Sequence, residues 1–435
     1  MNIVEAYQKK LAISEKVYAK EHGGRALSDS KKIAIARVLA NTSEYITEAF
    51  ENSVGTQLAN MKTFKKFCLD LTTVALPSLI ANDLVIVYPL KSRTGYIQYL
   101  QFTAGSNKGG VAQGDVFNDP FRLGEMTDAR VNYTGATIVE KAEKAGTTKW
   151  ECEGCYNKDG EFVKGSVLLA DGTVKAVADI AVGDEFTYVY DNVKIPQSDI
   201  PQLTARMEGI ELAAKARRIA IYYSQMAAFQ AKTEMGIDLG EVLATQACAE
   251  LSYEIDTEVV KMLVDNAAVK EDLTWNKRLP LGVSKRDHYA GFAETIEIAS
   301  QHIYDATKKH AANYMIASSS LKPVLVMMEG WKAANTSKIN GPYFAGELNG
   351  IKVYISPAIK AGRYVLGYNG GDMITSAAVY APYMAIVPTQ LLGFADGAMS
   401  QGFSSLYDLK MLNPALLVAG EVVDVALDPV ETATA

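Results

Sequence analysis

The sequence predicts an α+β fold, because helical and strand-like patterns occupy separate stretches of the chain. Three observations support this class. Apolar residues keep helical spacing over the first 70 residues, β-branched runs between turn residues extend from residue 84 to about 195, and a long amphipathic helix begins at Asp238. At 435 residues the chain is too long for one ordinary core, so two or three domains are expected.

The N-terminal segment is predicted to be helical. One periodic run precedes a break at Gly23-Gly24, and a second run follows from Ser28. The apolar positions of the first run are Ile3, Tyr7, Leu11 and Ile13, and those of the second, near one face, are Ile33, Ile35, Val38 and Leu39. Such an arm has no obvious core of its own, so we expect it to pack on another part of the structure.

The middle third is predicted to be rich in strands and turns. Strands are expected over Leu84–Tyr88 and Tyr96–Phe102, and an exposed loop over Ala104–Asp119. Farther on, Asp159-Gly160 and Asp171-Gly172 separate short strand-like pieces, and such dipeptides are common in tight hairpin turns.

The clearest helix begins at Asp238, whose carboxylate can cap the first turn together with Glu241. Its apolar stripe consists of Leu239, Val242, Leu243, Ala247, Leu251, Ile255, Val259, Met262 and Leu263. A second amphipathic helix is predicted through Phe292, Ile296, Ala299, Ile303 and Ala306. The remaining chain alternates, with strands expected at 314–317, 351–355, 364–368 and 379–387.

Composition and charge exclude several classes of protein. The formal net charge of −7 argues against a dedicated nucleic-acid binder, although basic residues exceed acidic ones among the first forty. The uncharged stretch Ser376–Ala395 contains Pro382 and Pro388, which argues against a membrane-spanning helix. Four cysteines in a chain of this length do not form a disulfide framework.

Residues with metal or redox chemistry are sparse. None of the four histidines lies in a zinc-protease spacing, and no nucleophile elbow or phosphate-binding loop occurs. Cys152 and Cys155 form one CxxC pair, but a structural zinc needs four ligands and a redox pair needs a helix N-terminus. We therefore expect no catalytic residues, no cofactor and no metal. If a metal were bound, Cys152 and Cys155 would be its candidate ligands.

Four separated segments resemble, in the correct order, the major capsid proteins of T-even-type tailed bacteriophages. They are Leu76–Ala81 leading to Thr94–Ile97, Glu211–Ser224 with the following long helix, Phe344–Gly350 leading to Tyr354, and Gly367–Tyr383. Together they span Leu76 to about Leu417, except for residues 145–195. The pattern of residues 207–222 fits a helix or a strand, and the family's extended conformation there favours a strand.

The resemblance implies the Hong Kong-97-type capsid fold. In this fold, residues 1–75 would be an N-terminal helical arm, and residues 76–200 an extended β-hairpin arm with a β-rich insertion near 140–195. Residues 201–310 would be a peripheral domain with a long spine helix, to which the chain returns at 401–425. Residues 311–400 would form the axial domain, whose tips meet at the centre of each capsomer.

The resemblance also implies the function. The chain would be a structural protein, not an enzyme, that self-assembles into hexameric capsomers of an icosahedral head enclosing phage DNA, and the resemblance leaves open whether it also forms the pentameric ones. Further partners would be vertex, portal, scaffold and decoration proteins and, through weak non-specific contact, double-stranded DNA, with no membrane. Assembly would occur in the host cytoplasm, and the product would be the virion capsid. The alternatives are a pentameric vertex protein of the same fold and an encapsulin-like nanocompartment shell.

A processing site is a separate expectation. Ile46-Thr47-Glu48-Ala49 resembles the sequence at which T-even-type prohead proteases trim capsid proteins, which would place the cut between Glu48 and Ala49. Ile3-Val4-Glu5-Ala6 matches the same pattern. We favour retention of the segment as a packed arm, because its apolar helix faces need burial.

Overall fold

The computed structural model describes residues 3–51, 58–105, 202–280, 282–307, 309–334, 341–373, 375–389, 392–394 and 397–424. Between 106 and 201 it describes short backbone segments at 113–114, 116–117, 130–134, 152–156, 162–164, 167–168, 174–175 and 185–190. The chain divides into two compact units. The larger comprises Met1–Ile97 with Gly209–Ala435, and the smaller comprises Gln98–Glu208.

Helices form the N-terminal segment and two long central elements. They are α1 (Ile3–Ala6), α2 (Gln8–Glu21), α3 (Asp29–Glu51), α4 (Leu58–Ala75), α5 (Ala81–Leu84), α6 (Gln225–Gln230), α7 (Leu239–Asn266), α8 (Lys285–Thr307) and α9 (Lys322–Val326). A π-helix, Ala231–Met235, continues α6, and 3-10 turns lie at Ser319–Leu321 and Pro414–Leu416.

The described strands fall into five sheets. The first ten strands are β1 (Ile86–Val87), β2 (Thr94–Ala104), β3 (Val116–Phe117), β4 (Arg130–Thr134), β5 (Cys152–Tyr156), β6 (Phe162–Lys164), β7 (Val167–Leu168), β8 (Val174–Lys175), β9 (Glu185–Tyr190) and β10 (Leu203–Ala213). The others are β11 (Lys215–Ser224), β12 (Ala268–Asn276), β13 (Tyr314–Ser318), β14 (Trp331–Ala333), β15 (Tyr343–Leu348), β16 (Ile351–Ser356), β17 (Arg363–Gly367), β18 (Ala378–Pro388), β19 (Leu392–Gly393), β20 (Ala398–Met411) and β21 (Leu417–Val423).

Two sheets organise the larger unit. A mixed seven-stranded sheet has the order β12-β21-β17-β13-β16-β15-β14, and a second sheet has the order β1-β18-β20-β11 with β19 beside β20. The β15–β16 hairpin turns at Asn349-Gly350, where both residues have positive φ (49° and 88°), as a two-residue type I′ turn requires. Strands from both sides of residues 310 and 400 therefore belong to the same sheets. The domain limits at these two residues stay a prediction.

The smaller unit consists of short antiparallel strands. Strands β4, β9, β5 and β6 form one sheet in that order, and β7 pairs with β8. Strand β2 lies between β10 and β3 in a further sheet. The turns predicted at Asp159-Gly160 and Asp171-Gly172, and most of the loop predicted over Ala104–Asp119, lie outside the described residues.

The principal core of the larger unit joins the N-terminal helices to both sheets. Leu11, Tyr18 and Leu39 from the helical segment pack in one cluster with α5, α7 and residues of both sheets. A second cluster buries α8 against the seven-stranded sheet through Phe292, Ile296 and Ile303 among others. The expectation that the arm packs on other structure is thus met by the chain's own core.

Several sequence predictions about helices are confirmed. The Asp238 carboxylate accepts hydrogen bonds from the backbone N–H groups of Gly240 and Glu241 at 3.0 and 3.3 Å, so it caps α7. The break at Gly23-Gly24 is present, with φ of 69° and 84°. Residues 203–224 are extended in β10 and β11, as the family resemblance favoured.

Other predictions about individual residues are wrong. Ile13, Ile33 and Val242 are 47%, 56% and 50% exposed, and Ala306 is also exposed. Val242 precedes the buried Leu251 by nine residues, which is half a turn out of phase at about 100° per residue. Leu84 ends the short helix α5 instead of beginning a strand, and the predicted strand Leu84–Tyr88 shrinks to Ile86–Val87.

Candidate functional site

A concentrated polar site in the larger unit surrounds the carboxylate of Asp83, which is 3% exposed. Asp83 lies in α5, the short helix between the N-terminal helices and β1. The apolar residues around Asp83 are all buried: Leu79, Ile80, Ala81, Leu84 and Val85. This apolar segment packs in the core and places the acidic side chain of Asp83 there with it.

Five side chains converge on this carboxylate, and we call them with Asp83 the Asp83 cluster. Oδ1 accepts from the Tyr18 hydroxyl at 2.5 Å and from Lys31 Nζ at 2.8 Å. Oδ2 lies 2.8 Å from His22 Nδ1, accepts from the Tyr354 hydroxyl at 2.8 Å and faces Arg25 Nη1 at 3.1 Å. Four of these partners come from the N-terminal segment and one from β16, so the cluster links the segment to the seven-stranded sheet.

Secondary contacts hold the partners themselves in place. The imidazole of His22 stacks on Tyr18 with ring centroids 4.2 Å apart, and its Nε2 lies 3.1 Å from the backbone oxygen of Pro77. Both ring nitrogens of His22 therefore lie against oxygen atoms of the protein, which fixes the orientation of the ring. The guanidinium of Arg25 lies 4.3 Å from the ring centroid of Phe344 in β15, a cation–π contact.

The electrostatics of the cluster follow from these contacts. Burial would raise the pKa of Asp83, but the His22 hydrogen bond and the charges of His22, Lys31 and Arg25 hold that pKa well below its usual range. Burial, reinforced by Asp83, raises the pKa values of Tyr18 and Tyr354, so both phenols remain hydrogen-bond donors. Burial and, after it, the nearby charge of Arg25 lower the pKa of Lys352.

The Asp83 carboxylate is buried and contacts five side chains of the same subunit, so we interpret the cluster as a structural contact. Sequence analysis did not identify it. The available signal was the spacing of Tyr18 and His22, four residues apart on one helix face, together with a lone acid in an apolar run at Asp83. Neither feature reveals that residues about 60 positions apart in the chain meet.

The residues that sequence analysis did single out are dispersed. Cys152 and Cys155 lie on strand β5, which pairs with β6 and β9. Glu48 is an exposed residue of α3, but Ile46 of the same motif is 1% exposed, and the side chain of Ala49 is outside the described part. Burial raises the pKa values of the free thiols of Cys68 and Cys248 to about 12, which makes them poor nucleophiles.

The described histidines and acids outside the Asp83 cluster lie in separate places. His288 stacks on Trp275, His302 pairs with Asp272, and His310 stacks on Tyr368. Among the described residues no group of three or more His, Cys, Asp or Glu side chains could hold a metal ion. Of the helices that the structure describes, none combines the length and apolarity that a membrane crossing requires.

Exposed apolar side chains mark a surface on the larger unit. Met226, Phe229 and Met235, on α6 and the π-helix, are 66%, 65% and 71% exposed. Tyr222 at the end of β11 is 68% exposed, and Leu392 and Phe394 beside β20 are 58% and 52% exposed. Apolar groups in such number on one region are typical of a surface that contacts other molecules.

Comparisons with known proteins place the chain among shell-forming structural proteins of tailed bacteriophages. The chain belongs to the major capsid protein Gp23 family, whose model matches residues 61–427. It is accordingly a major capsid protein that forms the head shell. The α+β fold and the family predicted from the sequence are confirmed, and the vertex-protein and nanocompartment alternatives are not better supported.

Individual relatives have low sequence identity to this chain but align with most of its length. The major capsid protein of Serratia phage KSP90 is 22% identical over 392 residues, covering 86% of this chain and 83% of the relative. That of Enterobacteria phage T4 is 24% identical over 396 residues, covering 78% and 73%. Among solved structures, the capsid of Myoviridae phage XM1 matches 67% of this chain and 93% of its own with a TM-score of 0.36 at 8% identity.

Proposed function

We propose that this chain builds the icosahedral head as hexameric capsomers that interlock through the extended strands β2 and β10, and that it has no enzymatic activity. The hexamers would assemble in the host cytoplasm, meet vertex, portal, scaffold and decoration proteins, and enclose DNA through weak contacts, with pentamers of the same chain as the alternative to a separate vertex protein. The proposal rests on family membership and on one structural observation, the exposure of β10.

Strand β10 is eleven residues long, and eight of its residues are exposed. At about 3.3 Å per residue, such a strand reaches roughly 36 Å. Leu203 and Met207 on this strand are 41% and 67% exposed, although both are large and apolar. Few strands with so little cover are stable alone in water, so we infer that neighbouring subunits cover the arm formed by the adjacent strands β2 and β10.

Deletion of residues 104–114 tests the arm. The deletion should leave folded subunits that do not close shells, as seen by negative-stain microscopy and size-exclusion chromatography. A sharper variant is Met207→Glu, with Met327→Glu as its matched control, because Met327 is 55% exposed on a turn of the larger unit. Loss of shells for Met207→Glu alone supports the arm. Normal shells from both the deletion and Met207→Glu would contradict it.

We propose that the N-terminal segment is retained after assembly. Cleavage between Glu48 and Ala49 would remove α2 and most of α3, and with them Leu11, Tyr18 and Leu39 from the core and four partners of Asp83. Trimming would also require local unfolding of α3, since Ile46 is buried. The intact mass of the subunit from DNA-filled particles checks this. A chain beginning at Ala49 would show that the segment is lost.

We further propose that Cys152 and Cys155 hold no essential metal, because the pair supplies two of the four ligands that a structural zinc requires. Elemental analysis of purified particles should find much less than one zinc per chain. About one zinc per chain, lost together with folding in a Cys152→Ser variant, would contradict the proposal.

A further inference from the structure

The outer edge of β11 is open among the described residues. Strand β11 is the last strand of its sheet and pairs on its inner side with β20, in an unbroken antiparallel register from Lys215 opposite Tyr407 to Ser224 opposite Ala398. The strand contains no proline and no bulge, two of the devices by which proteins protect exposed edges.

The backbone groups that face outward belong to the even-numbered residues. Gln225 N donates to Gly397 O, which fixes the odd-numbered residues of β11 as the ones bonded to β20. Gly402, opposite Ala220, instead directs its carbonyl to Thr389 N on the far side of β20. Backbone N–H and C=O groups of Ala216, Arg218, Ala220 and Tyr222 therefore point away from the sheet.

The two faces of β11 differ in the same alternation. Ile219 and Ile221 pack against α7, and Arg217 pairs with Glu258 of α7 at 2.6 Å, so the odd-numbered face is covered. On the other face Arg218, Ala220 and Tyr222 are exposed, with Tyr222 at 68%. The open edge thus presents a small residue flanked by a cation and an aromatic ring.

We propose that β11 pairs antiparallel with β11 of a second copy of this chain, about a two-fold axis at Ala220. In this register Ala220 faces Ala220, Arg218 faces Tyr222 and Ala216 faces Ser224. Each pair joins even-numbered residues, so outward N–H and C=O groups meet as hydrogen-bonded pairs. Arg218 of each copy lies beside Tyr222 of the other, which supplies two symmetric cation–π contacts.

The self-complementarity of the register identifies the partner as another copy. A two-fold interface requires a surface that is complementary to itself. When a second β11 runs in the opposite direction, the cation Arg218 meets the aromatic ring of Tyr222, and the small residue Ala220 meets its own copy. This inference rests on the proposed function, since a shell subunit must contact its own kind on several sides.

Cysteine cross-linking in assembled particles tests the register. Opposed residues of a hydrogen-bonded antiparallel pair have Cα atoms about 5.5 Å apart, within the usual range of a disulfide. Particles of Ala220→Cys should give covalent dimers on mild oxidation, above the level of the unmodified chain. Ala216→Cys alone should not, whereas particles that mix Ala216→Cys with Ser224→Cys subunits should. Absence of Ala220→Cys dimers, or equal dimers from Ala216→Cys, overturns the proposal.

A second variant tests the need for the pairing. Ala220→Pro removes only an outward-facing N–H, a position that edge strands tolerate, so the subunit should unfold at the same denaturant concentration as the wild type. It should yield at least tenfold fewer closed shells, and normal yield overturns the proposal. If the wild-type chain formed no shells, the proposed function would fail, and cross-linking of Ala220→Cys in concentrated solution would still decide the pairing, with no dimers overturning it.

Discussion

The Asp83 cluster and the outer edge of β11 show two opposite ways of treating polar groups. Around Asp83 the chain buries one carboxylate and surrounds it with five partners from its own sequence. Along the outer edge of β11 a row of backbone donors and acceptors has no strand partner among the residues that the structure describes. The first contact is complete within one subunit, whereas the second acquires partners only when another molecule arrives.

The difference has an energetic reason. A buried charge that loses a partner costs several kcal/mol, because water cannot replace the lost contact. An exposed strand edge costs little in the monomer, since its N–H and C=O groups bond to water. A shell subunit can therefore hold its helical segment through the buried Asp83 cluster and leave the edge of β11 free for contacts with other subunits. Variants at Asp83 should lower the stability of the subunit, whereas variants at the edge of β11 should affect assembly.

The largest effect is expected for Asp83→Asn. Loss of the buried negative charge leaves Lys31 and Arg25, each only 23% exposed, without their common anion, which should lower the free energy of unfolding by about 3–5 kcal/mol. Urea unfolding of the unassembled subunit measures this. The matched control is Asp70→Asn, whose carboxylate also bonds a lysine, Lys10 at 2.5 Å, but is 49% exposed and should cost at most about 1 kcal/mol. Equal losses in both variants would remove the distinction between the two regions.

The same variant makes a prediction about acid. The pKa of Asp83 is lowered in the folded state, so its stabilising contribution is present above the unfolded pKa of about 3.9 and is lost as the pH falls toward the folded value. The difference in unfolding free energy between wild type and Asp83→Asn should therefore shrink as the pH falls below about 4. A difference that stays constant from pH 6 to pH 2.5 would contradict the assignment of the charge.

Local elements of this chain were predictable from sequence, because their signals are local. The cap at Asp238 and the break at Gly23-Gly24 need only neighbouring residues, and both occur as expected. The phase of a helix face was less secure. Periodicity alone assigns Ile33 and Val242 to the buried faces of their helices, but both side chains are exposed. The tertiary partners of α3 and α7 decide which side of each helix is buried.

The Asp83 cluster was not predictable for a physical reason. Its members come from residues 18–31, 83 and 354, and no short-range pattern encodes a meeting across such separations. Sequence reasoning also treats basic residues near the N-terminus as solvated, whereas Lys31 and Arg25 are only 23% exposed. The family resemblance identified the fold, but a resemblance of segments does not identify a contact between them.

A smaller effect is expected for Tyr354→Phe. The variant removes one hydroxyl donor to Asp83, at 2.8 Å, and keeps the buried ring in place. Hydrogen bonds to charged groups contribute about 1.5–3 kcal/mol, so a loss in that range is expected in urea unfolding. Tyr343→Phe is the control, because its hydroxyl accepts from Lys322 at 2.6 Å on the surface and should contribute only tenths of a kcal/mol. A larger loss for Tyr343→Phe would show that burial does not govern these bonds.

The smallest effect is expected at Glu258, the half-exposed counterpart of Asp83 on the covered face of β11. This carboxylate, 40% exposed, accepts from Arg217 and from the Tyr407 hydroxyl, each at 2.6 Å, and so ties β11 and β20 to α7. Solvent screens the pair, so Glu258→Gln should cost at most about 1 kcal/mol, as urea unfolding would show.

A double-mutant cycle with Arg217→Met isolates the ion pair from the Tyr407 bond, and their coupling energy should be a few tenths of a kcal/mol. Because these contacts lie on the odd-numbered face of β11, Glu258→Gln should also leave the Ala220→Cys cross-link intact. A coupling energy as large as the loss expected for Asp83→Asn would mean that solvent exposure does not weaken the Glu258 ion pair relative to the buried contacts of Asp83.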